Sequence, residues 1–362
     1  MYYIRNLAFL IFFLPAFYSL GQSTAKYSNE FLSIGIGARS LAMSNSVIAS
    51  SANASAGYWN PANLAGISSH MQFGLMHAEY FAGIAKYDFG GVAYRINNES
   101  SFGVSLIRFG VDNIPNTLEL IDAEGNLRYD RIKSFSVADY AFIFSYGTKI
   151  PVKGFRVGGN VKIIRRIAGE FASAVGFGID ASATYNKDNF KAAIVLRDIT
   201  TTFNAWKFET DKLREAFILT GNEIPENSTE ITLPRIILGT GYLFNLAKDF
   251  SVYPELNIDI TTDRKRNVLI KSNPVSIDPH AGLEFSYKKI IFLRGGIGNI
   301  QKETGAGNKT TTSFQPNMGA GVRIRNFTID YALTDIGNQS IAPYSNIFSL
   351  TLTIDRKKTP GM

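Results

Sequence analysis

From about residue 70 onward, apolar side chains alternate with polar or small ones in segments of ten to fifteen residues, the period of two that marks a strand between two environments. Val175, Phe177, Ile179, Ala181, Ala183 and Tyr185 interleave with Gly176, Gly178, Asp180, Ser182 and Thr184. Val252, Pro254, Leu256, Ile258 and Ile260 oppose Ser251, Tyr253, Glu255, Asn257 and Asp259; the neighbouring segment, Val275 to Tyr287, repeats the scheme. Phe348, Leu350, Leu352 and Ile354 do so near the C-terminus. The pattern predicts about fourteen strands, approximately 70–80, 84–96, 101–110, 134–148, 154–167, 173–186, 189–198, 234–245, 250–262, 275–287, 289–300, 312–324, 326–335 and 345–355. Every second connection is tight, as at Lys187-Asp188, Lys288 and Arg325, whereas Val111 to Lys133, Arg197 to Leu233 and Thr261 to Pro274 are long. A soluble sandwich also alternates. It has no reason to gather nearly all its long connections at one end, as an outer-membrane barrel does. The expected fold is therefore all-β, a 14-stranded antiparallel transmembrane β-barrel.

Composition agrees. Although 45% of the 362 residues are hydrophobic, no internal stretch approaches the roughly 20 apolar residues of a membrane-spanning helix, so strands must do any spanning. The apolar set of each strand then meets lipid and the polar set faces inward. That puts Arg156, Lys162, Asp180, Glu255, Asp259, Asp278, His280, Glu284, Arg294, Arg323 and Asp330 in the lumen, as a mutually compensating lining in preference to an ion path. The absence of cysteine and the presence of only three histidines argue against a thiolate or multi-histidine metal site, and no cofactor is expected. The net charge of +7 is spread along the chain, against nucleic-acid binding.

Arg5 precedes an apolar core from Leu7 to Leu20, and Ser19-Leu20-Gly21 offers small residues for cleavage before Gln22. Residues 1–21 read as a signal peptide, 22–69 as an N-terminal plug (hatch), 70–355 as the barrel and 356–362 as a basic tail. With an even strand count both termini are expected in the periplasm, the plug at that end, and the long loops outside the cell.

The segment 22–69 does not alternate well and is rich in Ser, Ala, Asn and Gly. It holds Gly35-Ile-Gly37-Ala38-Arg39-Ser40-Leu41-Ala42-Met43-Ser44-Asn45-Ser46 and then Ala56-Gly57-Tyr58-Trp59-Asn60-Pro61-Ala62-Asn63-Leu64-Ala65. These stretches resemble the N-terminal region of FadL-like barrels, and in particular the PorV/PorQ family of the type IX secretion system. Ser44 and Asn45 stand where that family often has paired glycines, and the chain ends beyond Asp355-Arg356-Lys357-Lys358 where the family closes on an aromatic residue. Gly35 and Gly37 permit close approaches, Arg39 is expected to pair with a lumenal acid, Trp59 to pack on the plug or the wall, and Asn60-Pro61 to fix a turn.

The resemblance implies a non-enzymatic accessory or shuttle protein that binds a SprA-type translocon and/or the C-terminal domains of secreted cargo. The alternative is a FadL-like transporter of small hydrophobic molecules, which would need an apolar lumenal pocket. A barrel hydrolase could draw only on Ser276, Asp278 and His280 along one strand face. Phe203, Trp206, Phe208, Leu213 and Phe217 in the longest loop form the candidate partner-binding surface. Pro254 and Pro279 interrupt neighbouring strands and mark a candidate lateral seam, because each removes an amide from the sheet.

Overall fold

The computed structural model describes residues 28–122, 124–211, 214, 217–218, 223, 226–304, 310–334 and 344–355. The signal segment 1–21, Leu213 and the basic tail 356–362 lie outside the described residues. One antiparallel sheet contains β1 (Met71–Tyr80), β2 (Ala85–Arg95), β3 (Ser100–Asn116), β4 (Lys133–Lys149), β5 (Phe155–Ala168), β6 (Ala172–Lys187) and β7 (Phe190–Arg197). It continues with β8 (Thr202–Phe208), β9 (Ser228–Thr232), β10 (Arg235–Tyr242), β11 (Phe244–Ala247), β12 (Phe250–Thr261) and β13 (Ser276–Tyr287). The last strands are β14 (Ile291–Thr304), β15 (Thr310–Ile324), β16 (Phe327–Thr334) and β17 (Ser345–Ile354).

These segments make fourteen staves. β6 pairs with β7 along Ala181–Lys187 and with β8 along Ala172–Phe177, so β7 and β8 are two parts of one stave. On its far side β9, β10 and β11 follow one another in the same way. β1 then pairs with β17 from Met71↔Ile354 to Glu79↔Asn346 and closes the barrel, so that neither terminal strand leaves a free edge in hydrocarbon. The segment Arg197 to Leu233, read from the sequence as a loop, thus contains a continuation of the wall. Thr202 and Asn204 point in and are fully buried while Phe203 points out, the same alternation as in the longer strands.

The two faces divide sharply. Val175 and Phe177 are 51% and 38% exposed on the lipid side, whereas Asp180 and Thr184 on the same strand are 4% and 1% exposed inside. Six tight connections lie at one end. At the other end 117–132, 262–275 and 335–344 are long, whereas 81–84, 169–171 and 305–309 are short.

Residues 28–69 run through the lumen. At the long-loop end Thr232 donates to Ser28 Oγ at 2.8 Å and Asn29 Nδ2 donates to Thr232 at 2.7 Å. At the turn end Arg95 Nη1 donates to the Ser68 carbonyl at 2.8 Å, just before β1 begins. The segment therefore spans the barrel from end to end instead of closing the turn end alone. Ser28, the first described residue, stands beside Thr232, and Ile354 pairs with Met71 at the turn end.

Candidate functional site

Gly35 and Gly37 have φ of +99° and +85°, a left-handed region that glycine enters without cost, and a Cβ at Gly35 would lie 2.4 Å from Asn45 Oδ1. Gly37 opens a short helix, Ala38–Ala42, whose first amides find partners on the wall: Gly37 N donates to Met76 Sδ at 2.9 Å and Ala38 N to Ser349 Oγ at 3.0 Å. The helix stops at Ser44 and Asn45, which have φ of 50° and 63°. Both residues therefore hold the backbone in the conformation that glycine takes most easily.

Arg39 projects from this helix to Glu284 on β13, Nε to Oε2 2.8 Å. Glu284 accepts from Arg294 on β14 at 2.7 Å, and Arg294 reaches Asp330 on β16 at 2.7 Å. Four side chains thus form a continuous chain of charge-assisted bonds from the plug across the wall. A second charged group is tied to the plug at Glu255, which accepts from the Ala49 amide at 2.7 Å.

Trp59 is 3% exposed; its indole donates to the Ile36 carbonyl at 3.0 Å, and the Arg197 guanidinium sits 5.7 Å over its ring. Asn60 donates to Ile48 O at 2.7 Å and Thr184 Oγ1 at 2.8 Å and caps the turn that Pro61 begins by accepting from Ala62 N. Here the wall makes room by lacking side chains. A Cβ at Gly158 would lie 2.4 Å from Ala62 N, and one at Gly147 2.3 Å from Pro61 O.

Above the plug, toward the long loops, remains a cavity of about 480 Å³. Its wall is polar and includes Glu30, Arg235, Asp259, Arg266, Asp278 and His280. Arg266 bonds Glu30 at 2.9 Å and Arg235 lies 3.6 Å from Asp259. Beside it the wall is incomplete. The β12–β13 ladder is continuous from Phe250↔Tyr287 to Thr261↔Ser276, straight past Pro254 and Pro279. The β13–β14 ladder ends at Ala281↔Ile297, which leaves Ser276–His280 without a β14 partner. The connection 262–275 folds back into that split: Ile270 bridges to Ile277, Asn267 donates to Gln301, and Lys271 Nζ donates to the Lys302 carbonyl at 2.6 Å. This strap is fixed at its base by Asp263, which accepts from Arg266 Nε at 2.8 Å.

His280 does not meet Ser276. Its Nδ1 lies 3.0 Å from Ser46 Oγ on the plug and its Nε2 3.2 Å from Asp259 Oδ1 on β12, while Ser276 Oγ bonds the Arg264 carbonyl. Ser, His and Asp stand in hydrogen-bond order, but Ser46 is fully buried and no reacting carbonyl could approach it. The group anchors the plug.

Of the candidate docking residues, Phe203 is 43% exposed on β8, while Trp206 is held by Glu230 at 2.9 Å and by Arg166, 5.0 Å over its ring. Trp206 and Phe208 stack at 6.1 Å. A larger exposed apolar set lies between β3 and β4, where Leu118, Ile121, Leu127, Tyr129 and Ile132 are 41% to 69% exposed. Sequence reading passed over it, although apolar residues at this density in a long external connection are the signal that was used for Phe203 to Phe217.

The sequence matches the family model of the type IX secretion system protein PorV over residues 21–205, which includes both plug stretches and the wall as far as β8. The chain belongs to the PorV family. No curated protein matches it. The PorV-family barrel is similar in fold to the Ralstonia pickettii toluene transporter TbuX, with 12% identity, a TM-score of 0.52, and coverage of 88% of this chain and 98% of that one. It is similar also to the monoaromatic hydrocarbon channel CymD, with 12% identity, a TM-score of 0.54, and coverage of 90% and 99%. The Pseudomonas putida toluene transporter TodX gives 12% identity, a TM-score of 0.51, and coverage of 88% and 96%. At such identity these likenesses concern the fold alone. Fold and family together make this an outer-membrane β-barrel.

Proposed function

We propose that this barrel is an accessory or shuttle protein of type IX protein secretion that binds a SprA-type translocon and/or the C-terminal domains of cargo, without catalysing a reaction. The observation that carries the reading is a lumen occupied by residues 28–69, below the cavity at the long-loop end, and tied there by Arg39, Ser46 and Asn60, in a chain of the PorV family. Such a barrel offers partners its rim. In this reading the long loops face the cell exterior, and the exposed Leu118 to Ile132 set supplies the apolar docking surface, while Phe203 lies beside Phe177 on the lipid face.

Co-purification from native membranes tests it. Recovery of a large translocon or of cargo C-terminal domains is expected, and replacing Ile121, Leu127 and Tyr129 by Ser should reduce that recovery several-fold while leaving the barrel folded. An isolated barrel that carries copurified hydrocarbon and no protein would overturn it. One observation favours the second reading, transport of small hydrophobic molecules: the strapped split between β13 and β14 lies beside the cavity and would give a sideways route. The charged lining of that cavity weighs against it, because an apolar solute gains little there.

A further inference from the structure

The two ends of the barrel carry charge differently. At the long-loop end six basic side chains are matched by acids, Lys86, Arg108, Lys133, Arg166, Lys207 and Arg266 each lying within 4.0 Å of a carboxylate, while Lys271 bonds only Asn267 and the Lys302 carbonyl. At the turn end the six turns, counted with the strand residue on each side, hold eight basic residues against Glu99, Asp188 and Asp249. Each of the six turns has at least one. Lys153, Lys187, Lys248, Lys289 and Arg325 are exposed, and no described carboxylate lies within ion-pair distance of any of them. Immediately inside this rim the lipid face carries cross-strand aromatic pairs, Tyr94 with Phe102, Phe155 with Tyr185 and Phe250 with Tyr287, at 4.8 to 5.4 Å between ring centres.

Aromatic rings sit at the level of lipid headgroups, and long cationic side chains just beyond them reach phosphate oxygens while their stems stay in the apolar zone. The charges also surround the barrel, turn after turn. A protein docked on one flank would need them on that flank only, whereas the lipid annulus touches all of it. We infer that the turn-end rim is a binding surface for the anionic headgroups of phospholipids in the adjoining leaflet. The inference rests on the barrel's place in a membrane and not on its part in secretion.

The test uses the full mature chain reconstituted in bilayers with spin-labelled lipids. At low salt, phosphatidylglycerol should be held at the barrel surface over phosphatidylcholine by roughly three-fold, and the preference should vanish near 1 M salt, where the screening length is only about 3 Å. The quadruple variant K187Q/K248Q/K289Q/R325Q should bring the ratio close to one, while K133Q/K207Q at the other end leaves it unchanged. Folding of each variant is checked by its heat-dependent shift in gel mobility. No preference in the wild type, or an equal preference in the quadruple variant, overturns the inference. So does a quadruple variant that keeps its lipid preference but loses an acidic protein partner in native membranes, which would give the rim to that partner. The lipid measurements in bilayers use no secretion partner, so the two readings fail separately.

Discussion

The plug has two halves, and they differ in what charge contributes. Ser28 to Ser50 is tied by charge: Glu30, Arg39, the Ser46 hydroxyl and the Ala49 amide each meet an ionisable wall residue on the later part of the chain. Ser51 to Ser69 carries no Asp, Glu, Lys or Arg. Glycines on β4 and β5 admit its backbone and Asn60 bonds where it touches, while wall arginines reach it at carbonyls and rings, Arg95 at Ser68 O and Arg197 at Tyr58 O and the Trp59 ring. Both halves depend on a shape that cannot gain an atom cheaply, since Cβ atoms at Gly282 and Gly296 would meet Met43 as those at Gly147 and Gly158 would meet Pro61 and Ala62; only the first half adds ion pairs that cannot lose one member cheaply.

Several substitutions would break or sharpen this contrast. The largest effect is expected from Glu284→Gln, which leaves the half-buried Arg39 guanidinium without a carboxylate while Arg294 still has Asp330; a loss of about 3 kcal/mol, the low end for a buried pair, should appear as earlier thermal unfolding in detergent. Replacing both Arg39 and Glu284 by Met should recover most of that loss, because no charge is then stranded. Gly158→Val tests the other half: its new side chain meets the Ala62 backbone, and roughly 1–3 kcal/mol should be lost with faster proteolysis between residues 51 and 69. Equal proteolysis of both halves would show that they do not act separately. Asn60→Ala removes bonds to the Ile48 carbonyl and Thr184 and should cost about 1–2 kcal/mol.

The smallest effect concerns the strap and acid. Burial works to raise the Asp263 carboxyl, but the Arg266 bond outweighs it and holds the group below its ordinary value. A carboxylate depressed in this way stabilises the fold fully above its unfolded-state value of about 4 and loses that contribution as pH falls through the lower folded value. Protease access to residues 262–275 should therefore rise only below about pH 4. In Asp263→Asn the acid-dependent step should be gone.

Much of the fold was legible because its rules are local. Period-two alternation gave the strands, and Lys187-Asp188 or Arg325 marked turns with no reference to the rest of the chain. That Arg39 needs a carboxylate could also be read from its chemistry. That the carboxylate is Glu284, 245 positions away, could not, because strand parity gives a face and not a height. The same limit hid the end of the β13–β14 ladder: Pro279 marks a missing amide, but its neighbour on β12 pairs past it and the break falls on the other edge. Thr202 to Phe208 looked like loop because Asp198 to Thr201 interrupts the alternation for only four residues, too few to show that the wall resumes.

The course of residues 28–69 has a consequence for assembly. The strand that closes the barrel, β17, pairs with β1, the strand entered directly from that segment. A thread that touches β3 to β6 on one side and β14 to β17 on the other would have to be drawn lengthwise through a finished cylinder if it came last. A sheet that winds round it needs no such passage. The folded arrangement thus favours a wall wrapped on the N-terminal segment as on a mandrel over one threaded afterwards.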